Sequence, residues 1–190
     1  MQWALSSENI DIAIICKEAA DKFMNEENKN FVNLGPLVEN SDVILLKNKE
    51  VKSLGVIQNR DYQKDIAEKY FHGKEIHPFI GTGIAYALEA NKVDAIVVDA
   101  FKAFKLEGEK IPTADKGSYE TYVLIANKDF IKTDTYSDFV KLYNRSVEEI
   151  SKDIGYRKAL NSFFNKKISD DEWKEVKSWK IKFLKIKNKE

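Results

Sequence analysis

Residues 82–99 have the sequence TGIAYALEANKVDAIVVD, in which a helical stretch leads directly into an apolar strand. Gly81-Thr82-Gly83 predicts a tight turn that opens this helix, which we expect to continue to Lys92. VDAIVVDA at 93–100 is the clearest strand pattern in the chain. A helix followed at once by a strand is the repeating unit of α/β sheets, so we expect this stretch to lie in such a sheet.

The segments before this stretch repeat the pattern. SLGVI at 53–57 predicts a strand, and 61–71 predicts an amphipathic helix. Residues 75–80 predict another strand, which Pro78 limits to an edge or a bend. Strands and helices that alternate in this way predict a parallel sheet with right-handed crossovers.

The N-terminal part predicts two more strands. Residues 10–16 have the β-branched, apolar composition of a strand that is buried on both faces of a parallel sheet, and a helix is expected at 17–25. Gly35-Pro36 predicts a turn, and a second strand is expected at 43–46.

After a polar stretch at 108–117, the chain is expected to return to a strand at 119–126. Helices are predicted after it at 136–152, at 156–164, and from the capping box Ser169-Asp170-Asp171-Glu172 to Phe183. This order of elements predicts two lobes, with ligands bound in the gap between them. We expect lobe 1 to comprise 1–48 and 118–190, and lobe 2 to comprise 49–117.

Composition excludes several classes of protein. The 190 residues include 31 basic and 31 acidic side chains, so nucleic-acid binding driven by positive charge is not expected. The single cysteine, Cys16, excludes an internal disulfide and a multi-cysteine zinc cage. His72 and His77 form no metal motif, and no apolar run approaches the ~20 residues of a membrane span. Nothing assembles a nucleophile, a base and an oxyanion donor, so neither catalysis nor a cofactor is predicted.

Three stretches resemble the type II periplasmic-binding-protein fold, specifically the substrate-binding components of ABC importers in the nitrate, sulfonate and thiamine-precursor group. SENIDIAI at 7–14 is similar to the family's G-E-I-D-I-A segment, and 82–99 is similar to its ALxxGxVDAxVxD helix–strand pair. Residues 117–127 resemble the strand that returns to the first lobe. The resemblance implies a two-lobed α/β binder of a small polar or anionic molecule. It also implies an ABC permease as partner and an extracytoplasmic location, as a cell-surface lipoprotein or in the periplasm.

In that family a strand, a helix and a second strand precede the IDIA segment, whereas here only 1–7 precede it. We therefore expect lobe 1 to lack its initial β-α-β and the chain to be truncated at its N-terminus. An uncovered apolar edge strand would also be an aggregation hazard. The N-terminal sequence as written contains no export signal, which we expect to be encoded upstream. The full-length form is expected to be a monomer.

Candidate ligand-binding residues lie at turns after strands, because open α/β sheets bind ligands at the carboxyl ends of their strands. Gly81-Thr82-Gly83 either forms only a tight turn or presents free N–H groups to a polar or anionic ligand. Arg60 could clamp a carboxylate, phosphonate or sulfonate, with Gln58 and Asn59 adding neutral hydrogen bonds. The alternative for this turn is that Asp61 simply caps the next helix.

Other candidates have similar alternatives. Asp99 would suit a cationic or amine-bearing ligand, or would cap the next helix. Cys16 and Lys17 end the first strand, where Cys16 is a cleft contact or a buried small hydrophobe. Asn40-Ser41-Asp42 is a polar wall of the cleft or a surface turn. Tyr119 stacks on a ligand or belongs to the core.

These candidates carry charges of both signs, so the charge of the ligand stays open at this level. Two rival functions also stay open. One is an enzyme on the same fold, of the menaquinone or thiamine-pyrimidine pathway type, and the other is a ligand-sensing regulatory domain.

Overall fold

A computed structural model describes residues 10–25 and 30–187, so residues 7–9 of the family-like segment lie outside the described part. The chain forms two compact units, and each has its own β-sheet. The first unit contains the described residues up to Glu39, Glu120–Val176 and the described residues from Lys182 onward. The second unit contains Asn40–Tyr119 and Lys177–Ile181.

The described residues form strands, helices and 3₁₀ turns, which are numbered here by type along the chain. The strands are β1 (Ile12–Cys16), β2 (Phe31–Glu39), β3 (Asp42–Leu46), β4 (Ser53–Ile57), β5 (Glu75–Phe79), β6 (Ala95–Asp99), β7 (Glu109–Pro112), β8 (Glu120–Asn127) and β9 (Lys182–Phe183). The helices are α1 (Lys17–Asn25), α2 (Asp61–Tyr70), α3 (Ile84–Glu89), α4 (Ala100–Ala103), α5 (Asp134–Ile150), α6 (Asp153–Phe164) and α7 (Asp170–Ser178). The 3₁₀ turns are Thr113–Lys116 and Phe130–Lys132.

The sheet of the first unit has the order β1-β8-β2-β9, and its neighbouring strands are antiparallel. The prediction that 10–16 lies in a parallel sheet is therefore wrong. Burial along β1 is also one-sided, because Ile15 is 3% exposed whereas Ile14 is 47% exposed. An apolar, β-branched sequence fits either arrangement, since the strand's partner is chosen by distant residues.

Gly35-Pro36 does not form the predicted turn, because β2 continues through it. The pairing of β2 with β8 shifts register between Asn33 and Gly35 and again between Pro36 and Val38. Gly35 has φ of 102°, and its N–H donates to Oδ1 of Asn33 at 2.9 Å. The two residues that favour turns are also those found at strand irregularities, so they bend this strand without ending it.

The capping box before α7 is confirmed, since the Glu172 N–H donates to Oγ of Ser169 and the Ser169 N–H donates to Oε2 of Glu172 at 3.2 and 2.9 Å. The helix ends at Ser178 and does not reach Phe183, which lies in β9. Lys180, with φ of 55°, adopts the left-handed conformation that terminates helices. Trp179 returns to the second unit, where it is fully buried with its ring edge-on to Phe104 at 6.2 Å.

The sheet of the second unit has the order β5-β4-β6-β3-β7. Strands β5, β4 and β6 are parallel, as predicted, and β5 lies at the sheet edge, as Pro78 requires. Strand β3, which we assigned to lobe 1, belongs to this sheet and is antiparallel to both β6 and β7. Strand β7 lies in the polar stretch at 108–117, where no strand was predicted. Helix α3 ends at Glu89, earlier than the predicted end at Lys92.

Helix α2 packs on one face of this sheet and forms the core of the second unit. Ile66 and Ala67 of α2 are fully buried against side chains that alternate along the strands. The strand residues in this cluster include Ile44, Leu46, Leu54, Val56, Ala95 and Val97. Because side chains two residues apart share a face, Asp42 and Asp99 lie at the end of this same apolar face. The fold thus places two carboxyl groups where the core ends.

Candidate functional site

One edge of the second unit's sheet collects most of the predicted binding residues. It is formed by the carboxyl ends of β4, β5 and β6 and by the amino end of β3, because β3 is antiparallel to β6. We call it the carboxyl edge and define it by the following residues: Asn40, Ser41, Asp42, Gln58, Asn59, Arg60, Gly81, Thr82, Gly83 and Asp99. The remaining predicted residues are Tyr119, which contacts Asn40, and Cys16 and Lys17, which lie in the first unit.

Asp42 is the centre of the carboxyl edge and is 1% exposed. Its Oδ2 accepts a hydrogen bond from the Tyr62 hydroxyl at 2.6 Å and another from Nε2 of Gln63 at 2.8 Å. Its Oδ1 is buried and has no hydrogen-bond partner among the described residues. One oxygen of this carboxylate is therefore saturated and the other retains its capacity to accept hydrogen bonds.

Gln63 connects α2 to the strands at the carboxyl edge and was not predicted as a site residue. It is fully buried, and its Oε1 accepts a hydrogen bond from the Ile57 N–H at 2.8 Å. Gln63 lies three and four residues before Ile66 and Ala67, on the buried face of the helix. An amide on an otherwise apolar helix face was the sequence signal that could have identified it, because buried polar groups need hydrogen-bond partners.

Arg60 precedes the first residue of α2 and makes no side-chain capping hydrogen bond. Its guanidinium lies 4.0 Å from Oδ2 of Asp42 and donates to the Tyr62 hydroxyl at 3.3 Å. Asp61 is not the helix cap that we considered for this turn, because it is the first helical residue and pairs with Lys64 at 2.9 Å. The cation predicted to clamp an anionic ligand thus faces a buried carboxylate of its own chain.

Asp99 ends β6 directly opposite Asp42 in the β3–β6 pairing. Its Oδ1 accepts hydrogen bonds from the backbone N–H groups of Phe101 and Lys102 at 3.0 and 3.2 Å, so the predicted helix cap is confirmed. Burial, and after it the negative charge of Asp42, raises the pKa of Asp99. Capping occupies only one of its oxygens, and a ligand contact stays a prediction.

Asn40 and Ser41 do not form a surface turn, because they are 2% and 3% exposed. The Asn40 N–H donates to the carbonyl oxygen of Tyr119, and the Tyr119 N–H donates to Oδ1 of Asn40, both at 2.9 Å. The Ser41 carbonyl oxygen accepts from the Ala100 N–H at 2.8 Å. Tyr119 is a core residue whose hydroxyl accepts a hydrogen bond from Nζ of Lys69 at 3.1 Å. These hydrogen bonds fix the backbone of Asn40 and Ser41 at the carboxyl edge.

The two glycine- and asparagine-containing turns of the carboxyl edge are tight. Helix α3 after Gly81-Thr82-Gly83 has only 6 residues, and the Gly83 N–H donates to the Ile80 carbonyl oxygen at 2.9 Å. Gln58 and Asn59 are exposed, and Asn59 has φ of 61°. The tight-turn alternative accounts for the backbone of these residues, and their contact with a ligand stays a prediction.

Cys16 and Lys17 lie at the junction of β1 and α1 in the first unit. Cys16 is half-buried opposite Tyr122 of β8. Lys17 forms an ion pair with Asp21 at 2.9 Å, and this hydrogen bond is the main cause that raises the lysine's pKa. Their role in ligand binding stays a prediction.

In residues 10–25 and 30–187, no cluster of three or more histidine, cysteine, aspartate or glutamate side chains has an arrangement that could hold a metal ion. No helix in this part of the chain combines the length and apolar character needed to cross a membrane.

Comparison with known proteins identifies the fold. No protein-family model matches the sequence, and a search of the curated proteins finds no match. Among solved structures, the ligand-binding component of an ABC-type import system from Staphylococcus aureus, with zinc bound, matches with a TM-score of 0.62 and 16% identity over 98% of this chain and 71% of that one. An ABC transporter protein from Parabacteroides distasonis matches with a TM-score of 0.65 and 13% identity over 96% and 71%.

The methionine-binding protein MetQ matches with a TM-score of 0.60 and 14% identity over 86% of this chain and 78% of that one. At such identities a match shows the fold and not the function. The chain therefore has the mixed α/β fold of the two-lobed periplasmic binding proteins, of the type II kind, as the sequence predicted.

Proposed function

We propose that this chain is the solute-binding component of an ABC-type importer, which captures a small polar molecule unchanged and presents it to a membrane permease. Its place of action would be extracytoplasmic, on the cell surface or in the periplasm. The similarity to ligand-binding components of import systems supports this proposal at the level of the fold.

The observation that carries the proposal is the carboxyl edge of the second unit. Polar residues from the ends of β3, β4 and β6 meet there, and the buried Asp42 retains an oxygen without a hydrogen-bond partner among the described residues. Open α/β sheets bind ligands at this edge. Binding sites for small molecules combine apolar walls with a few placed polar groups, and the end of the α2-covered apolar face has this composition.

A thermal-shift screen of the full chain tests the proposal. The panel contains amino acids, linear amines, nitrate, sulfonates, phosphonates, thiamine precursors and zinc chloride. A bound solute is expected to raise the melting temperature progressively with its concentration, as mass action requires. Mass spectrometry of the recovered solute is expected to find it unchanged. Failure of every solute to shift the transition would contradict the proposal, and a chemically altered solute would favour the enzyme alternative.

A pair of variants tests where the solute binds. Asp99→Ala changes the carboxyl edge, and we expect it to reduce the melting-temperature shift produced by the solute. Asp61→Ala is the matched control, because its side chain is 83% exposed and it pairs only with Lys64 among the contacts described above. If both variants retained the full shift, the solute would bind elsewhere.

A further inference from the structure

Asp42 and Asp99 form a pair of carboxyl groups on one face of the sheet. They are directly opposite each other in antiparallel strands, and residues in this relation project to the same face. Asp42 is 1% exposed and Asp99 is partly exposed. Two like charges brought together at the end of an apolar core repel each other more strongly than they would in water. The pair is therefore unfavourable unless something compensates it.

The compensation inside the protein is incomplete. Both donors that reach Asp42, the Tyr62 hydroxyl and the Gln63 amide, bind Oδ2. Oδ1 is buried and accepts no hydrogen bond from the described residues. A buried carboxylate oxygen that lacks a donor is costly, so native proteins rarely keep one without a reason.

Two cations, Arg60 and Lys102, lie near the pair. Arg60 lies 4.0 Å from Oδ2 of Asp42 and makes no hydrogen bond to Oδ1 in the described part of the chain. Lys102 is exposed, and its charge acts on Asp99 against the larger effects of burial and of Asp42. The pKa of Asp99 is nevertheless raised, first by burial and then by the negative charge of Asp42, so these cations do not fully offset the cost of its charged form.

A carboxylate at the opposite edge of the same sheet shows what a structural role requires. Asp94 lies just before β6 and accepts hydrogen bonds at 3.0–3.3 Å from the Lys52 N–H, the Ser53 N–H and the Ser53 hydroxyl. Its other oxygen accepts from Nδ2 of Asn48 at 3.1 Å. These hydrogen bonds lower the pKa of Asp94. Both oxygens of Asp94 are hydrogen-bonded, whereas Oδ1 of Asp42 has no such partner in the described part of the chain.

We propose that the Asp42–Asp99 pair binds a protonated amine, so that the solute of the proposed function carries a primary or secondary ammonium group. The inference rests on that function. An ammonium group supplies N–H donors, one for Oδ1 of Asp42 and another for Asp99, together with a positive charge that reduces the repulsion between the two carboxylates. Quaternary ammonium ions have no N–H donor and would bind less well. Arg60 is then the internal counter-ion of Asp42 and not a clamp for an anion.

Isothermal titration of the full chain with matched solutes tests this inference. Each set contains an L-amino acid, the amine that lacks its carboxylate and the acid that lacks its amine, for example L-leucine, 3-methylbutylamine and 4-methylpentanoate. Putrescine and spermidine extend the series. We expect binding to follow the amine and to be lost in the deaminated acid. If nitrate, sulfonates or deaminated acids bind and amines do not, the inference is wrong while the proposed function stands. If nothing binds, the function itself fails.

Variants assign the effect to the pair. Asp42→Asn and Asp99→Asn keep the side-chain shape and remove the charge, and each is expected to weaken amine binding about tenfold or more, the loss of one charge-assisted hydrogen bond. Asp61→Asn is the matched control, because Asp61 is an exposed carboxylate outside the carboxyl edge, and it should bind as wild type does. Since Asp42→Asn changes a buried residue, Asp99→Asn provides the independent reading. Amine affinity that is unchanged in Asp99→Asn would overturn the assignment.

The direction in which Arg60→Ala changes amine affinity provides a second test. Removal of a competing positive charge should leave amine binding as tight as in wild type or make it tighter, whereas loss of an anion clamp would weaken binding. Lys64→Ala, which removes an exposed lysine on the same helix, is the control. Weaker binding in Arg60→Ala but not in Lys64→Ala would contradict the inference.

Discussion

Asn40 and Tyr119 hold each other through two hydrogen bonds, each backbone N–H finding an acceptor on the other residue at 2.9 Å. The second unit's first segment begins at Asn40 and ends at Tyr119, so these bonds close the long segment that carries the carboxyl edge. Asn40 also has φ of 59°, a left-handed conformation that asparagine tolerates better than most residues. Asparagine therefore meets two requirements at this position.

Substitutions at Asn40 separate the two requirements. Asn40→Gly removes the acceptor for the buried Tyr119 N–H and should lower the free energy of unfolding by about 1–2 kcal/mol. Asn40→Ala removes the same acceptor and adds a side chain that disfavours positive φ, so we expect a further loss of about 1 kcal/mol. Urea unfolding measures both values. Equal stability of the two variants would show that the backbone conformation contributes nothing.

Loss of the Gln63 amide should destabilise the second unit. Gln63→Met preserves the approximate volume but leaves the Ile57 N–H without its acceptor and removes a donor from Asp42. We expect the free energy of unfolding to fall by about 2–4 kcal/mol, because two buried groups lose their partners. Gln58→Met is the control. Gln58 is an exposed amide directly after β4, so its replacement should change the free energy of unfolding little. Unfolding in urea followed by circular dichroism is the measurement.

Replacement of Asp94 should reduce stability by an amount that depends on pH, because its pKa is lowered in the folded protein. Its folded pKa is lowered, so its stabilising effect is present above the unfolded pKa of about 3.9 and is lost as pH falls through the folded value. Asp94→Ala should cost about 2 kcal/mol at neutral pH and less in acid. The free energy of unfolding of both proteins between pH 3 and 7 gives the comparison. A difference that grows in acid would contradict the assignment.

Replacement of Asp99 should change the free energy of unfolding with the opposite dependence on pH. Its folded pKa is raised, so its protonated form favours folding below the unfolded pKa, and this contribution is lost as pH rises through the folded value. Asp99→Asn cannot ionise, so its stability relative to wild type should increase as the pH is raised from about 4. Asp61→Asn, an exposed carboxyl, should keep the pH profile of wild type. A constant difference between Asp99→Asn and wild type would show that Asp99 ionises normally.

The sequence predicts the elements whose signal is local. β4, β6 and α1 lie within one or two residues of their predicted positions, because β-branched runs and helical spacing are properties of short stretches. β7 was missed because four residues with two charges carry no strand pattern. The antiparallel setting of β3 was missed because direction depends on distant partners.

In the candidate site too, features with a local signal could be predicted and features that depend on distant residues could not. The turns at the ends of β4, β5 and β6 could be placed from the sequence, since carboxyl ends of parallel strands share an edge. The hydrogen bond from Gln63 to Asp42 spans 21 residues and has no local signature. For the same reason the sequence offers Arg60 as a free cation, whereas the fold places it beside Asp42.

The burial of Trp179 in the second unit has a consequence for synthesis on the ribosome. The other segment of that unit ends at Tyr119, yet its packing includes an indole that emerges much later. The second unit therefore cannot reach its final packing until residue 179 has left the exit tunnel. We expect the sheet of the second unit to be less stably packed in nascent chains stalled before that point. Cleavage after Val176 should likewise destabilise the second unit, although its longer segment is intact.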